Sequence, residues 1–422
     1  MKRLILIAFL LIPVLLQGAI YRLNITGPIE SITEEYISGC FEKIKKAGDA
    51  KLVIIEIDTP GGFVSSTRHV IMDILDSPVP AAVYVSPRGA HAGSGGFYIT
   101  ISADIAAMAP GTNMGSAHPV AITGGDIDET MKKKVANDLA AYAKSLAKSR
   151  NRNIELAEKA VRESENFTAE ECLENKLVEY LANDIHDLIR QLDGKEIIMV
   201  NKEKVVLELK NEEIIHLDMT TRQKFLKTIT NPNLAFFLLI IGLVGLYIEF
   251  THPGLIVPGV LGGICLLLAF LAFQVLPINY VGLFLILLSI GFFIAEVKIQ
   301  GFGAFGVGGI VSFVLGAVML IDAPIPEMRP SMTMIITFAV CFAVLFMFLA
   351  YKVFKSMERR SETGQEGLTG ETGTARTEIT PTSGRVFVHG EWWNAVSDET
   401  IPEGSQVVVE SIDKFVLRVK KQ

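Results

Sequence analysis

The chain has 422 residues, of which half are hydrophobic and a fifth are charged, and its net charge is −7. The charges are spread unevenly, because only six occur between Asn233 and Ala350. This pattern excludes a wholly soluble enzyme, a disordered chain and a disulfide-stabilised scaffold, and the acidic balance does not indicate nucleic-acid binding. We predict a membrane region with a soluble domain on either side.

Residues 1–19 have the pattern of a secretory signal segment. Lys2 and Arg3 precede the apolar run Leu4–Leu16, and small residues follow it. An uncleaved signal anchor is the alternative, and both interpretations predict that the next domain is exported. The four cysteines form no C-x-x-C pair, so we expect neither zinc nor another cofactor, and nothing in the spacing supports a Cys40–Cys172 disulfide.

Residues 20–218 alternate between β-branched strands and segments with helical spacing. Such alternation predicts an α/β domain with parallel strands. The predicted elements are strands Lys51–Asp58 and Ala81–Val85 and helices Phe63–Leu75 and Phe97–Ser102.

Ser94 lies in the glycine-rich turn after the second of these strands, and it is the candidate nucleophile. Small neighbours allow a substrate carbonyl to approach, and amides at a helix N-terminus can stabilise a developing negative charge. Gly95 and the Gly61-Gly62 turn are the expected donors. A simple tight turn or a phosphate-binding loop is the alternative, but Phe97 occupies the place where a phosphate loop has lysine.

A serine nucleophile needs a base, and the residues leave two candidates. One is His118, which with an aspartate would form a triad. The other lies in the run Lys132–Lys134, in a helix predicted from about Asp128 to Ser149. The apolar stripe of that helix comprises Met131, Val135, Leu139, Tyr142 and Leu146. This stripe leaves Lys133 in solvent and leans toward Lys132 without choosing between it and Lys134.

Four motifs follow one another in the exported domain. They are Asp58–Gly62 (DTPGG), Gly93–Ile99 (GSGGFYI), Ala109–Pro119 (APGTNMGSAHP) and Lys134–Asp138 (KVAND). Together with Phe167–Leu173 they resemble the long-form NfeD family of membrane-bound serine proteases, of the Clp protease and signal peptide peptidase A class. The resemblance extends over nearly the whole chain.

This resemblance implies a ClpP/crotonase-like spiral of ββα units. It implies Ser94 as the nucleophile and Lys134 as the general base, because the downstream run Ala141–Ala147 fixes the register. The implied oxyanion-hole donors are Gly62 and Gly95. His118 remains the alternative base, in a Ser-His-Asp arrangement.

Five segments between residues 234 and 351 qualify as membrane spans, after a linker at 219–233. They are Leu234–Phe250, Ile256–Leu276, Tyr280–Ala295, Gly303–Ile321 and Met332–Tyr351. An odd number of crossings after an exported domain predicts a multi-pass protein of the plasma (inner) membrane with a cytoplasmic C-terminus. The loop charges do not decide this topology. Glu249, Gly254 and Gly259 recur as Glu296, Gly301 and Gly306, which indicates either a duplicated hairpin or coincidence.

After a linker at 352–373, residues 374–422 contain short β-rich runs separated by turn residues. They are Arg385–Val388, Glu391–Ala395, Gln406–Glu410 and Phe415–Val419. The pattern predicts a small all-β, OB-like barrel. Without a dense basic patch, Trp392 and Trp393 are expected in the core or at a protein partner, not at nucleic acid.

Two classes of function compete. The first is a membrane-anchored serine endopeptidase with a Ser-Lys dyad that cleaves hydrophobic segments of membrane proteins. The second is a non-catalytic scaffold, which should tolerate loss of Ser94 and Lys134. The resemblance implies a stomatin-type (prohibitin-homology) membrane protein as partner or substrate. We also expect contact with membrane lipid and a homo-oligomer, a dimer or larger.

Overall fold

The computed structural model describes residues 18–119, 129–200, 202–299, 303–323, 325–357 and 365–422. Most of the predicted signal segment, residues 1–17, lies outside them. The chain forms two compact units. One extends to Ile299 and includes Val307–Val340, and the other contains Cys341–Gln422 and the short connection before Val307.

The N-terminal α/β domain contains eleven strands and seven helices among its described residues. In chain order they are β1 Ala19–Thr26, α1 Ser31–Ala47, β2 Ala50–Asp58, α2 Val64–Leu75, β3 Ala81–Val85, β4 His91–Gly93, α3 Gly95–Ser102, β5 Ile105–Met108, β6 Asn113–Gly115, α4 Glu129–Ser149, α5 Ile154–Arg162, β7 Asn166–Thr168, α6 Ala169–Glu174, β8 Tyr180–Leu181, α7 Ile185–Leu192, β9 Glu196–Ile198, β10 Lys204–Val206 and β11 Glu213–His216. The predicted strands and helices are confirmed to within two residues. The largest difference of the four is in α3, which begins at Gly95, directly after Ser94 and two residues before the predicted start.

The described residues of this domain form three sheets, of which the smallest is the pair β9-β10. The large sheet has the order β11-β1-β2-β3-β5-β8, and its neighbouring strands pair in parallel. The small sheet has the order β4-β6-β7. The chain passes from the large sheet to the small sheet and then into a helix, as β3-β4-α3 and again as β5-β6-α4. This is the spiral of ββα units that the resemblance implied.

The large sheet is covered on both faces, as the apolar β2 sequence requires. Successive strand side chains point to opposite faces. Val53 and Ile55 therefore belong to one buried cluster with Phe97, whereas Ile54 belongs to a second cluster with Tyr84. All five residues are at most 1% exposed. The rigid sheet thus supports the turns at its carboxyl edge.

A helix occupies much of the predicted linker at 219–233. It is α8, Thr221–Ile229, and it begins with a reciprocal capping box between Thr220 and Gln223. Its first turn bonds to α1, since Arg222 Nη1 and Gln223 Nε2 donate to Glu35 Oε1 at 2.7 and 3.2 Å. The sequence prediction missed this helix because its polar composition lacks a strong apolar period.

A buried carboxyl group, Glu30, lies where α1 approaches the end of α8. Burial raises the pKa of Glu30 from 4.5 to about 7, and the charge of Lys227 opposes part of that rise. The neutral form is favoured in the fold. The stability that Glu30 contributes is therefore complete below about pH 4.5 and is lost as the pH rises through about 7.

We expect the pH dependence of unfolding to become weaker in Glu30→Gln. Between those two pH values the wild type should lose on the order of 3 kcal/mol that the variant does not lose. Thermal unfolding of both proteins from pH 4.5 to 8 measures the difference. Parallel melting curves across this range would contradict the assignment.

Five apolar helices follow at the predicted spans. They are α9 Pro232–Thr251, α10 Val257–Phe273, α11 Tyr280–Ile299, α12 Ala304–Met319 and α13 Met332–Met357. Among the described residues, α9 alone is long and apolar enough to cross a membrane by itself, and the other apolar stretches are shorter. The number of crossings therefore remains a prediction.

The first copy of the glutamate–glycine motif forms a local contact between α9 and α10. Glu249 Oε1 accepts from the Gly254 amide at 3.3 Å. A Cβ at Gly259 would lie 2.7 Å from Glu249 Cγ, so glycine makes room for the glutamate. In the second copy Gly301 lies outside the described residues, so the duplication remains a prediction.

The C-terminal residues form a closed five-stranded barrel with the order β12-β13-β14-β16-β15. Its elements are α14 Gln365–Leu368, β12 Thr372–Ala375, β13 Arg385–Val388, β14 Glu391–Val396, β15 Gln406–Asp413 and β16 Val416–Lys421. The first strand, β12, begins at Thr372, before the predicted boundary at 374. The prediction missed this start because the sequence Thr-Gly-Thr-Ala contains no large apolar residue. Trp393 packs against the barrel core, whereas Trp392 is 62% exposed.

Candidate active site

Ser94 has a strained backbone at the junction of β4 and α3. Its φ and ψ are 47° and −110°. Its amide donates to the Gly115 carbonyl at 2.9 Å, and its own carbonyl accepts from the Phe97 amide at 3.1 Å. A non-glycine residue in such a region costs on the order of 1–3 kcal/mol and persists only where its surroundings impose it. A serine on a strained strand-to-helix turn is the arrangement that exposes a nucleophilic hydroxyl.

The Gly61-Gly62 turn lies directly against Ser94. Gly61 has a φ of +108°, and a Cβ there would lie 2.6 Å from Ser94 Cβ and 3.0 Å from the Gly95 nitrogen. The close approach therefore requires glycine at this position. The Gly61-Gly62 turn and the Ser94-Gly95 turn are about thirty residues apart in the sequence and are in contact in the fold. Both follow strands of a parallel arrangement, whose carboxyl ends lie at one edge.

Gly62 and Gly95 follow Gly61 and Ser94 in the two turns, and their amides are the expected oxyanion donors. Ile29 donates to the Gly61 carbonyl at 2.8 Å and accepts from the Phe63 amide at 2.9 Å. In such a parallel bridge the intervening Gly62 amide points to the opposite side. The Gly61 amide is bonded within the turn, to Thr59 Oγ1 at 3.0 Å. Gly95 opens α3, where amides carry the positive end of the helix dipole.

Contacts along α3 and α4 show that these helices run in the same direction. The rings of Tyr98 and Tyr142 stack with centroids 6.1 Å apart. At the C-terminal ends of both helices, Arg150 Nε, one residue after α4, donates to the Ser102 carbonyl at 2.9 Å. Since Ser94 precedes Tyr98 by one turn, the start of α4 lies at the same end of the helix pair as Ser94.

Of the three lysines at the start of α4, Lys134 shares a face with the residues that contact α2 and α3. Residues four apart on a helix are neighbours, so Lys134, Asp138 and Tyr142 form one row. Arg68 of α2 bonds Asp138 Oδ2 at 2.7 Å and lies 4.8 Å from the centre of the Tyr142 ring.

Lys133 belongs to a different row of α4, one turn before Asn137. Asn137 Oδ1 accepts from Arg162 of α5 at 2.7 Å, so this row faces α5. The helical wheel could not distinguish Lys132 from Lys134, because it describes burial and not the identity of the neighbouring helix.

The first turns of α4 are more exposed than the stripe predicted. Leu139 and Leu146 are buried, but Met131 and Val135 are 51% and 41% exposed. Lys134 is exposed too. The buried part of the predicted stripe therefore begins after Val135.

His118, the alternative base, is held by the backbone of α5. Its Nδ1 lies 2.9 Å from the Val161 carbonyl oxygen. The adjacent Ala117 amide donates to the Ala160 carbonyl at 2.8 Å, so this segment is fixed along α5. A triad requires a carboxylate at that ring nitrogen, and among the described residues a backbone carbonyl occupies its place.

The sequence did not indicate Arg68, Tyr98 or Tyr142 as residues that order the site. Tyr98 lies in the motif Gly93–Ile99 and Tyr142 in the apolar stripe of α4, but neither pattern identifies a partner, and the contacts join helices far apart in the chain. A second contact of this kind is His91, whose Nδ1 lies 3.2 Å from Asp58 Oδ1 and joins β4 to the end of β2.

The fold is that of a ClpP-like α/β domain followed by a helical membrane domain and a small barrel. The family model of the NfeD1b N-terminal domain matches residues 19–209, that of the NfeD integral membrane domain matches 233–352, and that of the NfeD-like C-terminal, partner-binding domain matches 365–421. The chain belongs to the NfeD family and is a membrane protein.

Relatives span the whole chain. Membrane-bound protease PH1510 of Pyrococcus horikoshii is 33% identical over 99% of this chain and 97% of its own length. Membrane protein NfeD1b of Bacillus subtilis is 25% identical over 94% of this chain and 93% of its own.

Solved structures similar to the α/β domain include forms of 1510-N, a membrane-bound stomatin-specific protease. Its serine-to-alanine mutant is 30% identical, covers 48% of this chain and 99% of its own, and has a TM-score of 0.45. Its lysine-to-alanine mutant in complex with a substrate peptide is 30% identical, covers 50% and 98%, and has a TM-score of 0.47.

Proposed function

We propose that this protein is a membrane-anchored serine endopeptidase with Ser94 as nucleophile and Lys134 as general base. The observation that carries the proposal is the strained Ser94, which lies against the Gly61-Gly62 turn and directly before Gly95 at the start of α3. The identity to a relative named as a membrane-bound protease extends over nearly all of both chains and supports the same class of reaction.

The mechanism follows from these four residues. Neutral Lys134 accepts the Ser94 proton while Ser94 Oγ attacks the substrate carbonyl. The amides of Gly62 and Gly95 stabilise the oxyanion of the tetrahedral intermediate. Protonated Lys134 then gives its proton to the leaving amine, and a water activated by the same lysine hydrolyses the acyl-enzyme.

Apolar substrates suit the exposed residues near the proposed base. Met131 lies one turn before Lys134 on α4, and Val64, the first residue of α2, is 46% exposed. A hydrophobic segment that covers these side chains would also remove water from Lys134, which favours its neutral form. We propose that substrate binding supplies the desolvation that the base requires.

We further propose a stomatin-type membrane protein as partner or substrate. One form of 1510-N is described as specific for a stomatin homolog. The C-terminal residues match a partner-binding domain, and the barrel exposes Trp392 and Phe415, at 62% and 73%. We also propose that the membrane region is multi-pass, with the α/β domain exported and the barrel in the cytoplasm. The protein is further proposed to contact membrane lipid and to form a homo-oligomer.

Labelling with a fluorophosphonate serine probe tests the proposed reaction. We expect the full-length protein in detergent to react with one equivalent of probe, and the labelled peptide to contain Ser94. Labelling should compete with a hydrophobic peptide substrate. A protein that hydrolyses no peptide and leaves Ser94 unlabelled would favour the non-catalytic scaffold instead.

A further inference from the structure

Ile29 joins the two halves of the proposed oxyanion site. Its amide and carbonyl bond to the residues on either side of Gly62, at 2.8 and 2.9 Å. Its side chain reaches the other half, because a Cβ at Gly95 would lie 3.2 Å from Ile29 Cδ1. A displacement of Ile29 would therefore move both proposed donors.

Glu30, the next residue, is directed toward the membrane-proximal end of α8. It precedes α1 at the N-cap position, but its side chain makes no capping hydrogen bond. Instead Glu30 Oε1 lies 3.4 Å from Thr230 Oγ1, a hydroxyl that also lies 3.2 Å from the Lys227 carbonyl oxygen of its own helix. Glu30 is 7% exposed. Lys227, one turn earlier on α8, interacts electrostatically with Glu30 and donates to the Thr26 carbonyl at 2.7 Å.

Thr230 is directly connected to the first membrane helix. The following residue, Asn231, caps α9 by accepting from the Asn233 and Leu234 amides at 3.0 and 3.3 Å. A continuous series of contacts therefore runs from the start of α9 through Thr230 and Glu30 to Ile29.

We propose that Glu30 is a positioning residue that fixes the oxyanion turn to the membrane-proximal segment Lys227–Asn231, so that peptide hydrolysis depends on the position of the first membrane helix. This inference rests on the proposed function. Oxyanion donors act only within about 2.7–3.1 Å of the developing charge. A shift of about 1 Å in a reacting group can lower a rate by about 100-fold.

Glu35 provides a matched control. It also lies on α1 and also bonds to α8, through Arg222 and Gln223 at 2.7 and 3.2 Å. It is five residues from Glu30 and has no link to Ile29 in the described contacts. If Glu30 only held α1 against α8, substitution of Glu30 and of Glu35 should change kcat by the same factor.

The experiment compares Glu30→Ala, Glu30→Gln, Thr230→Val and Glu35→Ala in the full-length protein in detergent, with kcat and KM measured on one peptide. We expect Glu30→Ala and Thr230→Val to lower kcat by about 10-fold while KM stays within about twofold, as misplaced oxyanion donors require. Glu30→Gln, which keeps the acceptor for Thr230, should recover most of kcat. Glu35→Ala should retain the wild-type kcat.

Equal kcat losses in the Glu30 and Glu35 variants, or a change in KM alone, would overturn the inference. If Glu30→Ala does not fold, Thr230→Val and Glu30→Gln decide the result. Activity that persists in Ser94→Ala would overturn the proposed function and this inference with it. Loss of activity in Ser94→Ala with normal kcat in Thr230→Val would overturn the inference alone.

Discussion

Ser94→Ala is expected to lower kcat for peptide hydrolysis by at least about 10⁴-fold, because the proposed mechanism forms the acyl-enzyme on Ser94. Alanine at a φ of 47° is no more strained than serine, so the turn and the adjacent Gly95 amide should keep their positions. Substrate binding should therefore persist. Initial rates on a hydrophobic peptide and a direct binding measurement separate the two effects.

Ser116→Ala is the matched control for this variant. Ser116 also has a φ of 47°, and it lies just after β6, the neighbour of β4 in the small sheet. Its hydroxyl is 3.4 Å from the Ser164 carbonyl, away from the Gly61-Gly62 turn. We expect near wild-type turnover. Equal losses in both variants would indicate damage to the small sheet and would refute a nucleophilic role for Ser94.

Lys134→Met is expected to reduce kcat nearly as much as Ser94→Ala, since the nucleophile and its base act as one unit. The double variant should show little additional loss. Methionine preserves the length and the apolar stem of the side chain, so the change tests the amine.

Lys132→Met and Lys133→Met control for the local charge of this helix end. They lie outside the row that Asp138 and Tyr142 form, so we expect both to keep most of kcat. His118→Ala should also remain active. A large loss of kcat in Lys132→Met, with Lys134→Met still active, would identify Lys132 as the base instead. A large loss of kcat in His118→Ala would favour the triad.

Much of the fold follows from local patterns in the sequence. Strands β2 and β3 were predictable because their apolar residues fit a parallel sheet that is buried on both faces. The scarcity of charge after Asn233 indicated the membrane region. The strand β12 and the helix α8 were not predictable from such patterns, since neither has a strong apolar period. Their residues order through long-range partners, the barrel for β12 and α1 for α8.

The candidate site shows the same division. The glycines at 61, 62 and 95 could be recognised from the sequence because a close backbone approach leaves no room for a side chain. The strain at Ser94 could not be recognised, because its φ depends on bonds to Gly115 and Phe97. The proposal of Lys134 among the three lysines likewise rests on the resemblance and on the neighbours of α4 in the fold.

The sequence alone therefore determined the order of domains, the membrane region and the turn that contains Ser94, because composition and period are local properties. The tertiary structure decided which residues converge on that turn. In the fold α3 and α4 run in the same direction, and the helix row that contains Lys134 and Asp138 lies on the side of α4 that contacts α2. Glu30 contacts Thr230, which is 200 residues away in the chain. Such contacts arise when distant segments pack together, and a local period contains no information about the packing partner.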